Sequence, residues 1–202
     1  LCSPEDTIRW LQDAQEAAKA GGSDIEEFFL VAKIYYEKHK SEVCGLMYFT
    51  YYPNADLPLA FISYLVVDEE KPGEYHSQVT PLMIKEIKRL MLKELKDCRG
   101  FVAEVDDPDT LIVKQDQERL KKAKSRIRLF PQIVKQAGSK LIQVNQIHYV
   151  QPDLSPPGNQ EAEVPMLLLY VPTDPNPSNG LNDETIRSIL SFVYDDIYGD
   201  SF

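Results

Sequence analysis

Acidic side chains crowd one short stretch of the sequence, where they could transfer protons or bind a cation. Glu104, Asp106, Asp107 and Asp109 all lie within residues 104–109. A group of carboxylates can attract a cationic ligand or hold a hard metal ion. Because Pro108 interrupts the run, a turn that leads into a helix is the simpler interpretation.

The histidines and cysteines are too scattered to indicate a metal centre. Zinc sites and disulfide frameworks place these residues at short, regular spacings. Here they are isolated from one another along the chain: His39, His76 and His148, and Cys2, Cys44 and Cys98. We therefore expect no bound metal and three reduced, mostly buried thiols.

Residues 68–80 combine a polar loop with a helix start, which is an arrangement that suits phosphate. Free main-chain N–H groups at a helix start carry partial positive charge, and glycine lets a ligand approach closely. The loop contains Gly73, and residues 75–80 lead from it into the predicted helix. The Thr80–Pro81 pair predicts that this helix begins at Pro81. Three nearby acids disfavour the binding of a polyanion: Glu69, Glu70 and Glu74. Lys71 offsets part of their negative charge.

The elements around these residues predict a mixed α/β fold. Three runs rich in aromatic and β-branched residues, joined by short connections, indicate an antiparallel meander: Phe28–Tyr36, Val43–Tyr52 and Leu59–Val67. An amphipathic helix is predicted over 81–97, ending at Gly100. The strand expected over 101–105 then lies parallel to its predecessor, because a helical crossover separates the two.

The rest of the chain adds further helices and strands to a single expected domain. A helix is predicted over 3–20, and another over 117–136 that Pro131 should kink or split. Strands are expected over 140–150 and 164–171, and Asn182 should cap a final amphipathic helix. We expect one domain, with a core over 3–172 and a carboxy-terminal helix over 181–200.

This order of elements resembles the GNAT superfamily of N-acyltransferases. The resemblance covers residues 3–172, and three segments are similar to a bacterial branch of GNAT-like proteins: 100–108, 149–152 and 192–199. It implies an acetyl-CoA or other acyl-CoA co-substrate and an amine acceptor on a small molecule or peptide. It is also compatible with a homodimer.

The resemblance also implies roles for particular residues. Main-chain groups of the fourth family strand and the following turn would hold the cofactor: Val66, Val67, Gly73, His76, Ser77, Gln78, Val79 and Thr80. Glu104 would take the proton of the amine, with Glu74 as a second choice. The family's thiolate-protonating tyrosine would fall at Val134, so Tyr149 is the substitute.

Other interpretations of the same residues stay open. Glu104 could be a solvent-facing or ion-paired strand residue, and Tyr149 could be a core or edge tyrosine. His76 could be an ordinary loop histidine. The cofactor turn has one glycine and the tyrosine position is vacant, which favours a second hypothesis: a GNAT-like module that has lost catalysis and serves in binding or regulation.

Charge and hydropathy narrow the classes of partner. The net charge is -10, which argues against nucleic acid because phosphate binding needs a concentrated basic surface. The basic stretch 119–128 is distributed around a predicted helix, which favours a solvated helix over a phosphate site. No apolar run approaches the length of a membrane span, and the first residues show no signal peptide. These features predict a cytoplasmic protein.

Overall fold

The computed structural model describes residues 25–37, 40–68, 73–95, 97–113, 117–144, 149–151, 164–174 and 181–199. The helix predicted over 3–20 lies outside the described residues, as does the proline-rich segment 152–163.

The described residues form a mixed α/β structure around one seven-stranded sheet. The strands and helices follow in the order β1 (Glu26–Glu37), β2 (Lys40–Tyr52), β3 (Leu59–Val67), α1 (Gly73–Lys93), β4 (Gly100–Asp106), α2 (Pro108–Val113), α3 (Gln117–Gln136), β5 (Ile142–Gln143), β6 (Val150–Gln151), β7 (Val164–Pro172) and α4 (Asp183–Ser191). A π-helical segment, Phe192–Ile197, continues α4. The strand order is β1-β2-β3-β4-β7-β5, and β6 pairs with β7.

The pairing of the strands confirms the predicted meander and crossover. The strands β1, β2 and β3 pair antiparallel, and β4 pairs with β3 in parallel. On its other side β4 is antiparallel to β7, from Gly100 opposite Pro172 to Asp106 opposite Met166. The sheet is therefore mixed, with a single parallel pair at its centre.

Each face of the sheet carries its own hydrophobic core. On one face, α1 and α3 cover alternate strand residues such as Phe49 and Phe101, and Ile84 and Val134 of the helices are fully buried there. On the other face, α4 and the π-helical segment cover residues that include Leu59, Val102 and Leu168. None of the described helices has the length and apolarity needed to cross a membrane.

The start of α1 differs from the prediction. The helix begins at Gly73 and contains Pro81 in its interior, so the predicted start at Pro81 is wrong. A proline in a helix lacks an N–H and crowds the preceding turn, so the sequence alone favours a place for Pro81 in the first turn. Burial of Val79 in the helix-covered core favours helix before the proline.

Three further boundaries are corrected. The helix α3 spans Gln117–Gln136 without interruption at Pro131, so of the two expected effects of this proline, a kink or a split, the split does not occur. Gly100 is the first residue of β4 and does not end α1, whose last residue is Lys93. The strand predicted over 140–150 appears at its two ends, as β5 and β6, both antiparallel to β7; residues 145–148 are not among those described.

Candidate active site

The parallel pair at the centre of the sheet is short and then opens. The strands β3 and β4 pair only from Leu59 opposite Gly100 to Ile62 opposite Ala103. Beyond that point, among the described strands, β3 continues to Val67 along β2 and β4 continues to Asp106 along β7. The result is a gap between residues 63–67 and 104–106.

A β-bulge marks the place where β3 leaves β4. In the pairing of β2 with β3, Tyr48 lies opposite Tyr64 and Phe49 opposite Ile62, so Ser63 is the extra residue. A bulge adds twist and turns the following side chains over. Leu65 therefore packs on the same helix-covered face as Ile62.

Glu104 is the first residue of β4 beyond the paired region. It alternates with Ala103, which belongs to the core under α1, so its side chain lies on the opposite face of the sheet. On that face the buried tyrosines Tyr149 and Tyr198, exposed by 2% and 5%, approach it.

The carboxylate of Glu104 accepts hydrogen bonds at both oxygens. The hydroxyl of Tyr149 donates to Oε1. The hydroxyl of Tyr198 lies 2.8 Å from Oε2 and 3.1 Å from Oε1, and Nε2 of Gln151 lies 3.4 Å from Oε2. Gln151 also donates to the Tyr198 hydroxyl over 3.0 Å. These contacts exclude the alternative of a solvent-facing or ion-paired Glu104 in the described structure.

Burial and hydrogen bonding act in opposite directions on this carboxyl. Burial raises the pKa of Glu104, and the hydrogen bonds from Tyr149 and Tyr198 lower it by less. The pKa of Tyr149 is raised by burial and then by the nearby Glu104 charge. The same two causes raise the pKa of Tyr198. Both phenols are therefore neutral donors near pH 7, and Glu104 is more basic than an exposed glutamate.

The ring of Tyr149 fits both interpretations made of it. It belongs to the core under α4, as the alternative of a core tyrosine expects, while its hydroxyl reaches Glu104. The two residues predicted as catalytic are thus in contact. Whether either acts in a reaction stays a prediction.

The residues predicted to hold the cofactor fall into two groups. Val66 and Val67 lie on the part of β3 that borders the gap, and Val66 is 55% exposed. In a helix that begins at Gly73, only the first four N–H groups lack an intrahelical acceptor. Within the helix these groups end at residue 75, so among the predicted cofactor residues Gly73 has an available N–H group and His76 does not.

The remaining four predicted cofactor residues cannot donate main-chain N–H groups from this helix. They lie one turn or more past its start, where each N–H bonds the carbonyl four residues earlier: Ser77, Gln78, Val79 and Thr80. Val79 is also buried at 5% exposure. The prediction of main-chain binding by these four residues assumed that the loop extended to Pro81, and the earlier helix start removes that premise.

The acidic cluster is largely occupied by local contacts. Arg119 forms an ion pair with Asp106, and Arg126 lies 3.7 Å from the same carboxylate. Asp107 accepts the main-chain N–H of Asp109 over 3.0 Å at the start of α2, as the helix-entry interpretation predicts. The described residues contain no cluster of three or more potential metal ligands.

A separate cavity lies elsewhere among the described residues. It has a volume of about 830 Å³ and is lined by residues that include Met91, Cys98, Arg99, Pro172 and Thr185. Since Arg99 precedes β4, this cavity lies at the opposite end of that strand from Glu104. This cavity therefore does not contain the carboxylate with two tyrosine donors.

Two partners of Glu104, Tyr198 and Gln151, were not singled out from the sequence. Gln151 occurs in a segment quoted for its family resemblance but was given no role. Tyr198 follows the predicted stripe of the last helix, and the π-helical segment before it changes the helical pitch. A regular helical pattern could not predict which way this tyrosine points.

Comparisons with known proteins give loose similarities. No protein-family model matches the sequence, and no curated protein matches it significantly. Among solved structures, an aminoglycoside 6′-N-acetyltransferase from Enterococcus faecium is 15% identical, with 84% of this chain and 87% of that chain covered and a TM-score of 0.41. NAA60 of Arabidopsis thaliana, in complex with a bisubstrate analogue, is 13% identical, with 84% and 94% covered and a TM-score of 0.34.

Proposed function

We propose that this chain is an acyl-CoA-dependent N-acyltransferase that acts on a primary amine of a small molecule or a peptide. The observation behind the proposal is the gap between β3 and β4, with Glu104 at its inner edge and two tyrosines donating to it. The helix α1 covers one face of the sheet, and Glu104 lies on the other. Donor and acceptor can therefore approach the gap from opposite faces.

The donor would bind along the open edge of β3. Residues 65–67 use one edge of the strand to pair with β2, and the described pairing of β3 with β4 ends before them, at Ile62. An extended arm with amide groups, such as pantetheine, can pair with an open strand edge as a peptide does. Val66 and Val67 would take this role, and the free N–H groups of the first helical turn, including that of Gly73, would face the phosphates.

Glu104 would remove the proton of the acceptor. A primary amine with a pKa near 10.4 needs about 4 to 5 kcal/mol to lose its proton at pH 7. A carboxylate beside the amine lowers the barrier by accepting that proton as the new bond forms. Burial raises the pKa of Glu104, which makes it a better base than an exposed glutamate.

Tyr149 would return a proton to the leaving thiolate. At pH 7 the acceptor begins as an ammonium ion, which gives one proton to Glu104, and Glu104 releases that proton to water. The neutral nitrogen then attacks the thioester carbonyl, the C–N bond forms and the C–S bond breaks. The second amine proton passes to Glu104, the Tyr149 hydroxyl gives its proton to the thiolate, and Glu104 reprotonates the phenolate. The hydrogen bond from Tyr149 to Glu104 supports this exchange, in which one proton leaves the amine and one reaches the thiol.

The second hypothesis, a non-catalytic binding module, is favoured by one observation. The main-chain N–H groups of residues 77–80 are used within α1, so fewer donors remain for a pyrophosphate than the sequence predicted. In this case the gap would bind a partner without catalysing a reaction.

We also propose that the chain forms one domain, because both cores pack against the same sheet.

Binding and turnover with acyl-CoA separate the two hypotheses. We expect acetyl-CoA or a longer acyl-CoA to raise the melting temperature and to give saturable calorimetric binding. Ligand at 100 times its dissociation constant should stabilise the fold by about 2.7 kcal/mol. Wild-type protein should release free CoA thiol when an amine panel is added.

Glu104→Gln is the matched control, since its side chain lies on the face opposite α1. It should bind acyl-CoA like the wild type and release no thiol. Absence of binding for every acyl-CoA would rule out the transferase. Binding without thiol release by the wild type would support the non-catalytic module.

A further inference from the structure

The carboxylate of Glu104 is held from two separate parts of the chain. Tyr149 comes from the stretch just before β6 and donates to Oε1. Tyr198 directly follows the π-helical segment, which continues α4, and lies nearest to Oε2. The segment that follows α4 therefore supplies a direct contact to the proposed base.

The hydrogen bonds around Tyr198 fix the direction of its proton. Its hydroxyl oxygen accepts from Nε2 of Gln151 over 3.0 Å, so its single proton is left to donate to Glu104. The distance to Oε2, 2.8 Å, is shorter than the 3.1 Å to Oε1. Since Tyr149 donates to Oε1, each carboxylate oxygen has one phenol donor.

The segment has a separate anchor that does not involve Glu104. The hydroxyl of Tyr194 donates to the main-chain carbonyl of Val150 over 3.0 Å, and Phe192 and Val193 are buried at 1% and 0% exposure. These contacts hold the π-helical segment against the sheet. The Tyr198 hydroxyl is thus not needed to keep the segment in place.

We propose that Tyr198 is a positioning residue for Glu104, which orients the carboxylate and stabilises its charged form, with Gln151 directing the Tyr198 proton. The catalytic part of this inference rests on the proposed function, in which Glu104 is the base. The contact itself does not, because it concerns the ionisation and orientation of one side chain.

Titration of Glu104 by carbon-13 NMR tests the proposal without any substrate. The side-chain carboxyl signal of Glu104, assigned by its loss in Glu104→Gln, is followed from pH 4 to 9. Among the described residues, the titratable groups around this carboxyl are Tyr149 and Tyr198, with Tyr194 beside Tyr149. We expect Tyr198→Phe to raise the Glu104 titration midpoint by about one pH unit, because it removes a hydrogen bond to the charged form.

Tyr194→Phe is the matched control, since it removes a hydroxyl from the same segment and keeps the ring that lies 5.6 Å from that of Tyr149. It should leave the Glu104 midpoint within about 0.3 pH units of the wild type. An unchanged midpoint in Tyr198→Phe would overturn the proposal. So would an equal rise in Tyr194→Phe, which would indicate a general loosening of the segment.

A second variant covers the case in which Tyr198→Phe does not fold. Gln151→Leu keeps both tyrosines and removes the donor that directs the Tyr198 proton, together with the longer 3.4 Å contact of Nε2 with Oε2 of Glu104. It should raise the midpoint in the same direction by a smaller amount, and no rise would count against the proposal. If acyl transfer is detected, the acid limb of kcat/KM should move up with the midpoint in Tyr198→Phe. Lack of transfer by the wild type would instead contradict the proposed function and leave the titration result standing.

Discussion

Burial of the charged Glu104 carboxylate lowers the stability of the folded protein. Burial raises the pKa of its carboxyl, so the folded protein binds this proton more tightly than the unfolded chain does. Below its ordinary pKa, near 4.5, the group is protonated in both states and costs nothing. As pH rises from that value to the raised one, the folded state loses stability, and the loss is constant at higher pH.

Glu104→Gln should therefore separate stability from activity. The free energy of unfolding of the variant, relative to wild type, should increase from pH 4.5 towards neutrality and then level off. Urea unfolding at several pH values measures this difference, with Glu94→Gln, an exposed residue paired with Arg89, as the control. A difference that falls as pH rises would contradict the burial of the charge.

The same variant should lose acyl transfer by about 100- to 10,000-fold in kcat, because an amide cannot accept the amine proton. Steady-state thiol release measures the loss, and the binding of acyl-CoA should be unchanged. A variant with wild-type kcat would show that another group, or water, accepts the proton.

The sequence was sufficient to predict Glu104 and Tyr149 as site residues, but it was not sufficient to predict Tyr198. Eleven tyrosines occur in the chain, and nothing in their spacing ranks them. Glu104 was identifiable because a strand residue next to a predicted opening is a restricted position. Tyr198 depends on the pitch of a π-helical segment, which side-chain periodicity does not encode.

Among the elements, α1 approaches β2 so closely that Gly45 has no space for a side chain. A Cβ at this position would lie 2.7 Å from Cγ1 of Val79 and 3.2 Å from the carbonyl oxygen of Val66. This contact sets the first turns of α1 close to the part of β3 that borders the gap. The position of the helix start thus depends on a glycine outside the predicted cofactor segment.

Gly45→Ala should destabilise the protein by about 1 to 3 kcal/mol, because the added methyl group meets a branched side chain and the backbone. Adding Val79→Ala should restore part of the loss, so the two changes should couple in a double-mutant cycle. Gly199→Ala is the control, since a Cβ at this position would lie 3.5 Å from the nearest atom, the carbonyl oxygen of Tyr194. A Gly45→Ala protein as stable as wild type would contradict this packing.

Element boundaries were predictable where side-chain pattern and packing agree. The helix over 117–136 and the strand over 59–67 were predicted with the observed bounds. The start of α1 was not, because Thr80 and Pro81 make a strong local signal for a helix start. Burial of Val79 and Met83 against Gly45 is a tertiary effect that outweighs it.

At the scale of the whole sheet, two halves are joined by a short stretch of parallel pairing between β3 and β4, here called the seam. The strands β1–β3 form one half and β4, β7 and β5 the other, and the seam runs only from Leu59 to Ile62 along β3. This architecture was predictable from the order of strands and helices. The length of the seam was not, because parallel register leaves no mark in the sequence.

Binding of acyl-CoA in the gap should protect the open part of β3 from hydrogen exchange. Peptides that cover residues 65–67 should exchange more slowly with the ligand, because amides on the strand edge away from β2 gain acceptors. Peptides over 46–51, which lie in the interior of the meander, are the control and should change little. Equal protection in both regions would indicate global stabilisation without occupation of the gap.

The bulge at Ser63 makes the length of β3 as important as its composition. Because that one additional residue keeps Leu65 on the face under α1, loss of a single codon there would exchange the inner and outer side chains of every later residue in the strand. Tyr64 and Val66, now 47% and 55% exposed, would be driven inward. Related chains that preserve this site should therefore tolerate many substitutions along β3 and few insertions or deletions.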